Sequence, residues 1–362
     1  MLLFAIIAAF FINSPSCAAQ TDHLASFSDP SKIWGNGIER VIEEAYRQCI
    51  RTKIISGRVM NIRLPFAVNN DRDTLLETEL DFYGGGKASP AELWTVIEEI
   101  LASQPFEEYI AALSSGREGV IIFDIPTQTW SISTDLFDIA RMKAGSYHGL
   151  PHRPYVLISG KGALERDVYN YLYCIGRIGI DCSGFVWHIL AYIGKRGGID
   201  LGKTLNPVLG IPYGADTSQY IGTSFFNSRS SQIIAVDDRI RNLRPADIIL
   251  FRDIEGVITH SAIIQSIDFS RGILRYLQCN NVAPLDERGV HESFIHFNPA
   301  NTSVSLTDPS LQWTQIRFAP FLGEEDTPFA DDGARYRYNS VNGRGRVVRV
   351  RALVPVIERI NR

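Results

Sequence analysis

One segment combines a polar turn with an amphipathic helix and so constrains the local structure more tightly than any other part of the chain. The apolar residues at positions 186, 189, 190 and 193 are spaced i, i+3, i+4 and i+7, which predicts one buried helix face. The turn Asp181-Cys182-Ser183-Gly184 precedes this face, and Gly194 follows it. The pattern predicts a helix that begins close to Cys182 and ends at Gly194.

A helix N-terminus changes the chemistry of a cysteine. Its unpaired backbone N–H groups and the positive end of the helix dipole favour a thiolate, so we expect the pKa of Cys182 to lie below its ordinary value. The small residues Ser183 and Gly184 leave space for a substrate and backbone N–H groups to bind an oxyanion. A buried, inert thiol is the alternative. A partner base near Cys182 would favour the reactive thiol over the inert one.

Two histidines are candidates for that base. His188 lies six residues further along the predicted helix, which turns its side chain about 240° away from Cys182 and moves it roughly 9 Å along the axis. Such a separation is beyond hydrogen-bond reach. His260 opens a predicted strand on which Ala262 and Ile264 share its face. We therefore favour His260.

The next predicted strand, from Ile273 to Gln278, offers a third polar side chain. Tyr276, Gln278 and Asn280 lie on one face of this strand, and Cys279 lies on the other. A polar residue on that face can bind the second imidazole nitrogen and fix the tautomer of the base.

Taken together, these residues resemble the NlpC/P60 cysteine peptidases, papain-like enzymes that cleave cell-wall peptides. The resemblance covers about residues 155 to 285. It rests on the run from Asp181 to Val186, on the turn Arg244-Pro245-Ala246-Asp247-Ile248 that leads into a strand, and on the strand opened by His260.

The resemblance implies an α+β fold in which the helix carrying the cysteine packs on an antiparallel sheet. It implies a thiol hydrolase that cleaves amide bonds in peptidoglycan stem peptides. Cys182 would be the nucleophile and His260 the base, and Gln278, or failing that Asn280, would orient the imidazole.

Two further family features concern the surroundings of the thiol. The family places an oxyanion-assisting tyrosine in a glycine-rich loop before the cysteine, and Tyr169, Tyr171 and Tyr173 are the candidates here. The separation between Cys182 and His260 exceeds the usual family spacing, which implies an insertion at about 202–237 that shapes or covers the cleft.

The chain of 362 residues is long enough for two domains. We expect an N-terminal α/β domain of unknown role over 20–150, a catalytic domain over 151–321, and a charged tail over 322–362 that ends in a half-buried strand. The start of a helix is predicted at Ser89-Pro90 and a pair of strands at 119–123 and 130–132. The run Gly84-Gly85-Gly86-Lys87 lacks the residues of a phosphate-binding loop, and we interpret it as a flexible turn.

The first residues predict export. An apolar run from Leu2 to Ile12 is too short to span a membrane and suits the hydrophobic region of a signal peptide over 1–19. We therefore expect a secreted or periplasmic protein without a stable membrane span. A lipoprotein acylated at Cys17 is the alternative.

Charge and cysteine spacing restrict the partners. The chain has 36 basic and 40 acidic side chains, and this balance gives no electrostatic reason to expect a nucleic-acid partner. The cysteines form no C-x-x-C motif, so we expect no metal site and no cofactor, and Cys49 fits an inert core thiol. Two rival functions remain: acyl transfer or lipid ester hydrolysis by the same Cys-His pair, and non-catalytic cell-wall binding.

Overall fold

The computed structural model describes residues 37–67, 82–124, 126–143, 155–158, 160, 162–212, 214–252, 256–280, 289–318, 326–329, 332–337 and 344–362. The predicted signal peptide over 1–19, with Cys17, lies outside the described residues, and so does the side chain of Asn280.

Helices and strands alternate irregularly along these ranges. The helices are α1 (Ile38–Arg47), α2 (Pro90–Leu101), α3 (Gln104–Ser114), α4 (Leu136–Lys143), α5 (Glu165–Cys174), α6 (Cys182–Arg196), α7 (Leu201–Leu209), α8 (Thr223–Phe226), α9 (Asp332–Arg337) and α10 (Val354–Ile360). The strands are β1 (Ile50–Ile55), β2 (Arg58–Arg63), β3 (Gly119–Asp124), β4 (Thr129–Ser133), β5 (Tyr155–Ile158), β6 (Ile233–Val236), β7 (Ile248–Arg252), β8 (Ile258–Asp268), β9 (Ile273–Asn280), β10 (Gly289–His296), β11 (Gln312–Phe318), β12 (Asp326–Phe329) and β13 (Arg346–Val350).

Three antiparallel sheets organise these strands. The main sheet has eight strands in the order β12-β11-β10-β9-β8-β7-β13-β6, and β1-β2 and β4-β3-β5 form two smaller sheets. The fold is therefore mixed α and β with antiparallel sheets, as the predicted α+β class requires.

The main sheet is covered on both faces. On one face, Ile263 and Leu277 pack in a core with Phe185 and Val186 of α6. On the other face, alternating residues of the same strands form a second core, whose members include Phe251, Ala262, Ile264, Tyr276, Trp313 and Tyr336. Burial on both sides explains why β7 is apolar at nearly every position.

Local sequence signals in the N-terminal half are confirmed. Ser89 caps α2 and Glu92 completes the capping box, with Pro90 in the first turn. The predicted strand pair forms β3 and β4.

The end of α6 differs from the prediction. The helix continues past Gly194 to Arg196, and Gly197 caps it. Gly194 is instead a packing position, because a Cβ there would meet the carbonyl oxygen of Ile199 and the side chain of Leu201 at 3.3 Å.

The sequence predicted a tail that ends in a strand, and this prediction is wrong. Strand β13 stops at Val350 and lies between β7 and β6, and the chain continues into α10. Pro355 suits the first turn of a helix, and the buried Val356 leaves no room for a side chain at Gly197, the cap of α6. Hydrophobic contact with α6 therefore favours a helix here.

The core also connects the two predicted domains. One hydrophobic cluster contains Ile42 of α1, Phe185 of α6 and Val356 of α10, and the insertion predicted at 202–237 supplies β6 to the main sheet. The division at residue 150 stays a prediction, and these contacts show that the parts on either side of it share one core.

The turn before β7 holds three strands together. Ala246 donates its N–H to the carbonyl oxygen of Ile264 (2.8 Å), and Asp247 receives two hydrogen bonds from Arg349 of β13 (2.6 and 2.7 Å). Ala246 has φ of 73°, in the left-handed region that favours glycine.

This backbone conformation predicts different outcomes for two substitutions. Ala246→Gly stabilises the fold by relieving about 1–2 kcal/mol of backbone strain. It also destabilises the fold, by about 0.8 kcal/mol through the lost buried methyl group and by about 0.4–1 kcal/mol through the greater entropy of the unfolded chain. We expect the free energy of unfolding, measured in urea, to change by less than about 1 kcal/mol. Ala246→Val, which is β-branched, should lower it by about 2 kcal/mol or more. Equal free energies of unfolding for the two variants would contradict backbone strain at Ala246.

Candidate active site

The N-terminus of α6 carries the thiol, as predicted. Asp181 is the N-cap residue, and its side chain accepts a hydrogen bond from the N–H of Gly184. Its carbonyl oxygen accepts from the N–H of Phe185 (2.9 Å). Cys182 therefore occupies the first position of the helix.

The thiol lies beside the strand that carries His260. The Sγ atom of Cys182 is 3.9 Å from the carbonyl oxygen of Thr259, and the side chain is partly exposed. The thiol of Cys279 is fully buried nearby and donates to the carbonyl oxygen of Ile180 (3.1 Å). The polar turn and the start of β8 are thus in contact.

His260 and Gln278 make the contact that the sequence predicted. The Nε2 atom of His260 lies 2.7 Å from Oε1 of Gln278, which is on the neighbouring strand β9. Both side chains are buried, and the imidazole lies against the ring of Phe251.

The thiol and the imidazole are not hydrogen-bonded to each other, although both residues belong to the described part of the chain. Alternation along β8 explains this arrangement. Ile263 packs in the core beside α6, whereas Ala262 and Ile264, which share the face of His260, pack in the second core. The contact of the thiol on this strand is with the backbone carbonyl oxygen of Thr259, the residue before His260.

The electrostatics of the thiol differ from the expectation. Burial, followed by the negative charge of Asp181, raises the pKa of Cys182 to about 11, although the positive charge of Lys87 acts in the opposite direction. The helix N-terminus does not compensate for the loss of solvation. The expected depressed pKa is therefore wrong for the protein without substrate.

The glycine-rich run belongs to the site and is not merely a flexible turn. The N–H of Asp181 donates to the carbonyl oxygen of Gly86 (2.9 Å). Gly86 has φ of 71°, and a Cβ there would lie 3.3 Å from the side chain of Ala67. Glycine is required at this position both by its conformation and by the close approach.

The same loop brings a buried cation to the residue before the thiol. Lys87 Nζ is 2.6 Å from Oδ2 of Asp181, with side chains only 3% and 4% exposed, and it also bonds Ser183. His188, which geometry excludes as the base, bonds the carbonyl oxygen of Lys87 (2.8 Å). No local pattern indicated this ion pair, because 94 positions separate its members.

The three candidate tyrosines are core residues. They are on α5 and are buried in the first core, where Tyr169 bonds the backbone of β2, Tyr171 packs on Phe106 and Tyr173 packs on Phe82. Tyr83 lies in the glycine-rich loop instead and is 44% exposed. A tyrosine in a glycine-rich loop does precede the cysteine, but it is none of the three predicted.

Comparison with protein-family models, curated proteins and solved structures finds no match to this chain. Within the ranges that the structure describes, no three metal-binding side chains cluster together. No helix in those ranges has the length and hydrophobicity needed to cross a bilayer.

The raised pKa of Cys182 predicts how its alkylation depends on pH. Because only the thiolate reacts, the rate with iodoacetamide should rise about tenfold per pH unit between about pH 7 and pH 10. Cys49, whose pKa is raised further by complete burial, is the internal control and should react more slowly throughout. Mass spectrometry of the labelled peptides measures both rates, and a rate for Cys182 that is constant above about pH 8 would contradict the raised pKa.

The buried ion pair predicts a large effect on stability. Lys87→Met leaves the carboxylate of Asp181 buried without its cation and should lower the free energy of unfolding by about 3–5 kcal/mol. Lys53→Met is the matched control, because Lys53 pairs with Glu98 at the surface and its loss should cost less than about 1 kcal/mol. Urea denaturation measures both values, and similar losses would show that the Lys87 pair contributes no more than a surface pair.

Proposed function

We propose that the protein is a papain-like cysteine hydrolase of the NlpC/P60 type that cleaves amide bonds of peptidoglycan stem peptides. The observation that carries this proposal is the hydrogen bond between His260 Nε2 and Gln278 Oε1 on strands beside a helix that starts with Cys182. Nucleophile, base and orienting residue have the roles that such a hydrolase needs.

The orientation of Gln278 determines which imidazole nitrogen is the base. An amide oxygen only accepts hydrogen bonds, so Nε2 of His260 carries the proton in the 2.7 Å contact with Oε1. In the neutral ring, Nδ1 then has the lone pair. Nδ1 is the atom that takes the proton of the thiol.

The reaction requires the imidazole and the thiol to meet when a substrate binds. His260 shares its face of β8 with Ala262 and Ile264, whereas the thiol lies on the side of α6, so the start of β8 must rearrange for the ring to reach the thiol. The thiol already lies 3.9 Å from the carbonyl oxygen of Thr259, the residue that precedes His260. Pairing with an imidazolium would also offset the raised pKa of the thiol.

The chemical steps then follow. As Nδ1 of His260 takes the thiol proton, the sulfur of Cys182 bonds the substrate carbonyl carbon. The C–N bond breaks, and the leaving amine takes the proton from the imidazolium. Water attacks the resulting thioester, again with His260 as base, and releases the acid product and the thiol.

The oxyanion is bound by the start of α6 and its neighbouring loop. Backbone N–H groups at Cys182 and Ser183 are suited to this role, whereas the N–H of Gly184 is already bonded to Asp181. The hydroxyl of Tyr83 is the side-chain donor that the glycine-rich loop offers.

Purified muropeptides test this function. The wild-type protein should release peptide fragments detectable by mass spectrometry, and Cys182→Ala or His260→Ala should lower the rate by at least about 100-fold. Cys49→Ala and His296→Ala are matched controls, because a core thiol and a half-buried histidine of β10 are not in the proposed site. Release that persists in Cys182→Ala would refute the proposal, and cleavage of lipid esters alone would favour the rival esterase.

A further inference from the structure

A buried carboxylate lies behind Gln278, on the side away from His260. Nε2 of Gln278 donates to Oδ2 of Asp332 (2.7 Å) and to Oγ of Ser293 (2.8 Å). The hydroxyl of Tyr276 donates to the same carboxylate oxygen (2.6 Å). Asp332 begins α9 and is fully buried.

The chemistry of these partners fixes the orientation of the amide. A glutamine side chain presents an acceptor on one side and two donors on the other, and the two orientations occupy nearly the same space. A carboxylate only accepts, so the NH₂ group of Gln278 must face Asp332. A hydroxyl both donates and accepts, which means that Ser293 allows either orientation.

This orientation is transmitted to the imidazole. With its NH₂ group held by Asp332, Gln278 presents Oε1 to His260 and so places the ring proton on Nε2. We propose that Asp332 is a positioning residue that selects the Nε2–H tautomer of His260 through the amide of Gln278. Its consequence for catalysis rests on the proposed function, but its consequence for the tautomer does not.

Burial of this carboxylate is costly if it serves packing alone. The surrounding core is aromatic, with Phe251, Trp313 and Tyr336 among its members. An apolar residue at position 332 would fill such a core without the desolvation cost of a carboxylate. The hydrogen bond that fixes the direction of the Gln278 amide explains why a carboxylate is buried at this position.

NMR of protein labelled with ¹⁵N in its histidines tests the inference directly, because ring-nitrogen shifts distinguish the two tautomers. We expect His260 to be the Nε2–H tautomer in the wild-type protein and a mixture of tautomers in Asp332→Asn, since asparagine can accept or donate. Tyr276→Phe and Ser293→Ala are controls that retain the carboxylate, and both should keep the wild-type tautomer.

Three outcomes would overturn the inference. They are an Nδ1–H tautomer in the wild-type protein, an unchanged tautomer in folded Asp332→Asn, and a change of tautomer in Ser293→Ala. The first and third need no folded Asp332 variant, so an unstable Asp332→Asn protein does not prevent the test.

An activity measurement separates this inference from the proposed function. Muropeptide cleavage by Asp332→Asn should be at least about 2-fold slower than by the wild-type protein, because about half or more of the histidine then has its lone pair on the wrong nitrogen. Cleavage that persists in Cys182→Ala would refute the hydrolase and leave the tautomer result standing. Normal cleavage and an unchanged tautomer in Asp332→Asn would refute the inference and leave the hydrolase standing.

Discussion

The buried ion pair between Lys87 and Asp181 is the interaction on which the rest of the site depends. Asp181 caps the helix that carries Cys182, and Lys87 belongs to a glycine-rich loop far away in the sequence. A buried pair is tolerated only when hydrogen bonds satisfy its remaining atoms, and Ser183 and Gly184 provide them here. The same contacts therefore fix the helix start, the loop and the immediate surroundings of the thiol.

The main sheet separates two environments with different tasks. The face toward α6 is apolar and leaves the thiol poorly solvated, which keeps it protonated at neutral pH. The opposite face holds a buried polar chain from His260 through Gln278 to Asp332. Strand β8 has one face in each environment. A substrate bound at its first residues would have to bring the thiol of Cys182 and the imidazole of His260 together.

Local patterns in the sequence predicted the features that depend on neighbouring residues. The start of α6 at Cys182, the cap at Ser89 and the shared face of His260 with Ala262 all follow from spacing over a few positions. The contact between His260 and Gln278 also followed, because adjacent antiparallel strands bring their faces into register. Contacts between distant segments had no such signal, and Lys87 was missed for that reason. The raised pKa of the thiol likewise depends on burial, which spacing does not reveal.

Two segments far apart in the sequence meet where α1 begins. The side chain of Asn361 accepts a hydrogen bond from the backbone N–H of Ile38, 323 positions earlier, where α1 begins (2.9 Å). Strand β13, inserted between β7 and β6, comes nearly as late. The hydrogen bond at the start of α1 and the strand between β7 and β6 can therefore form only once residues 346–361 are present. Contacts of such large sequence separation slow folding, because the chain between the two segments must close into a loop before the contact forms.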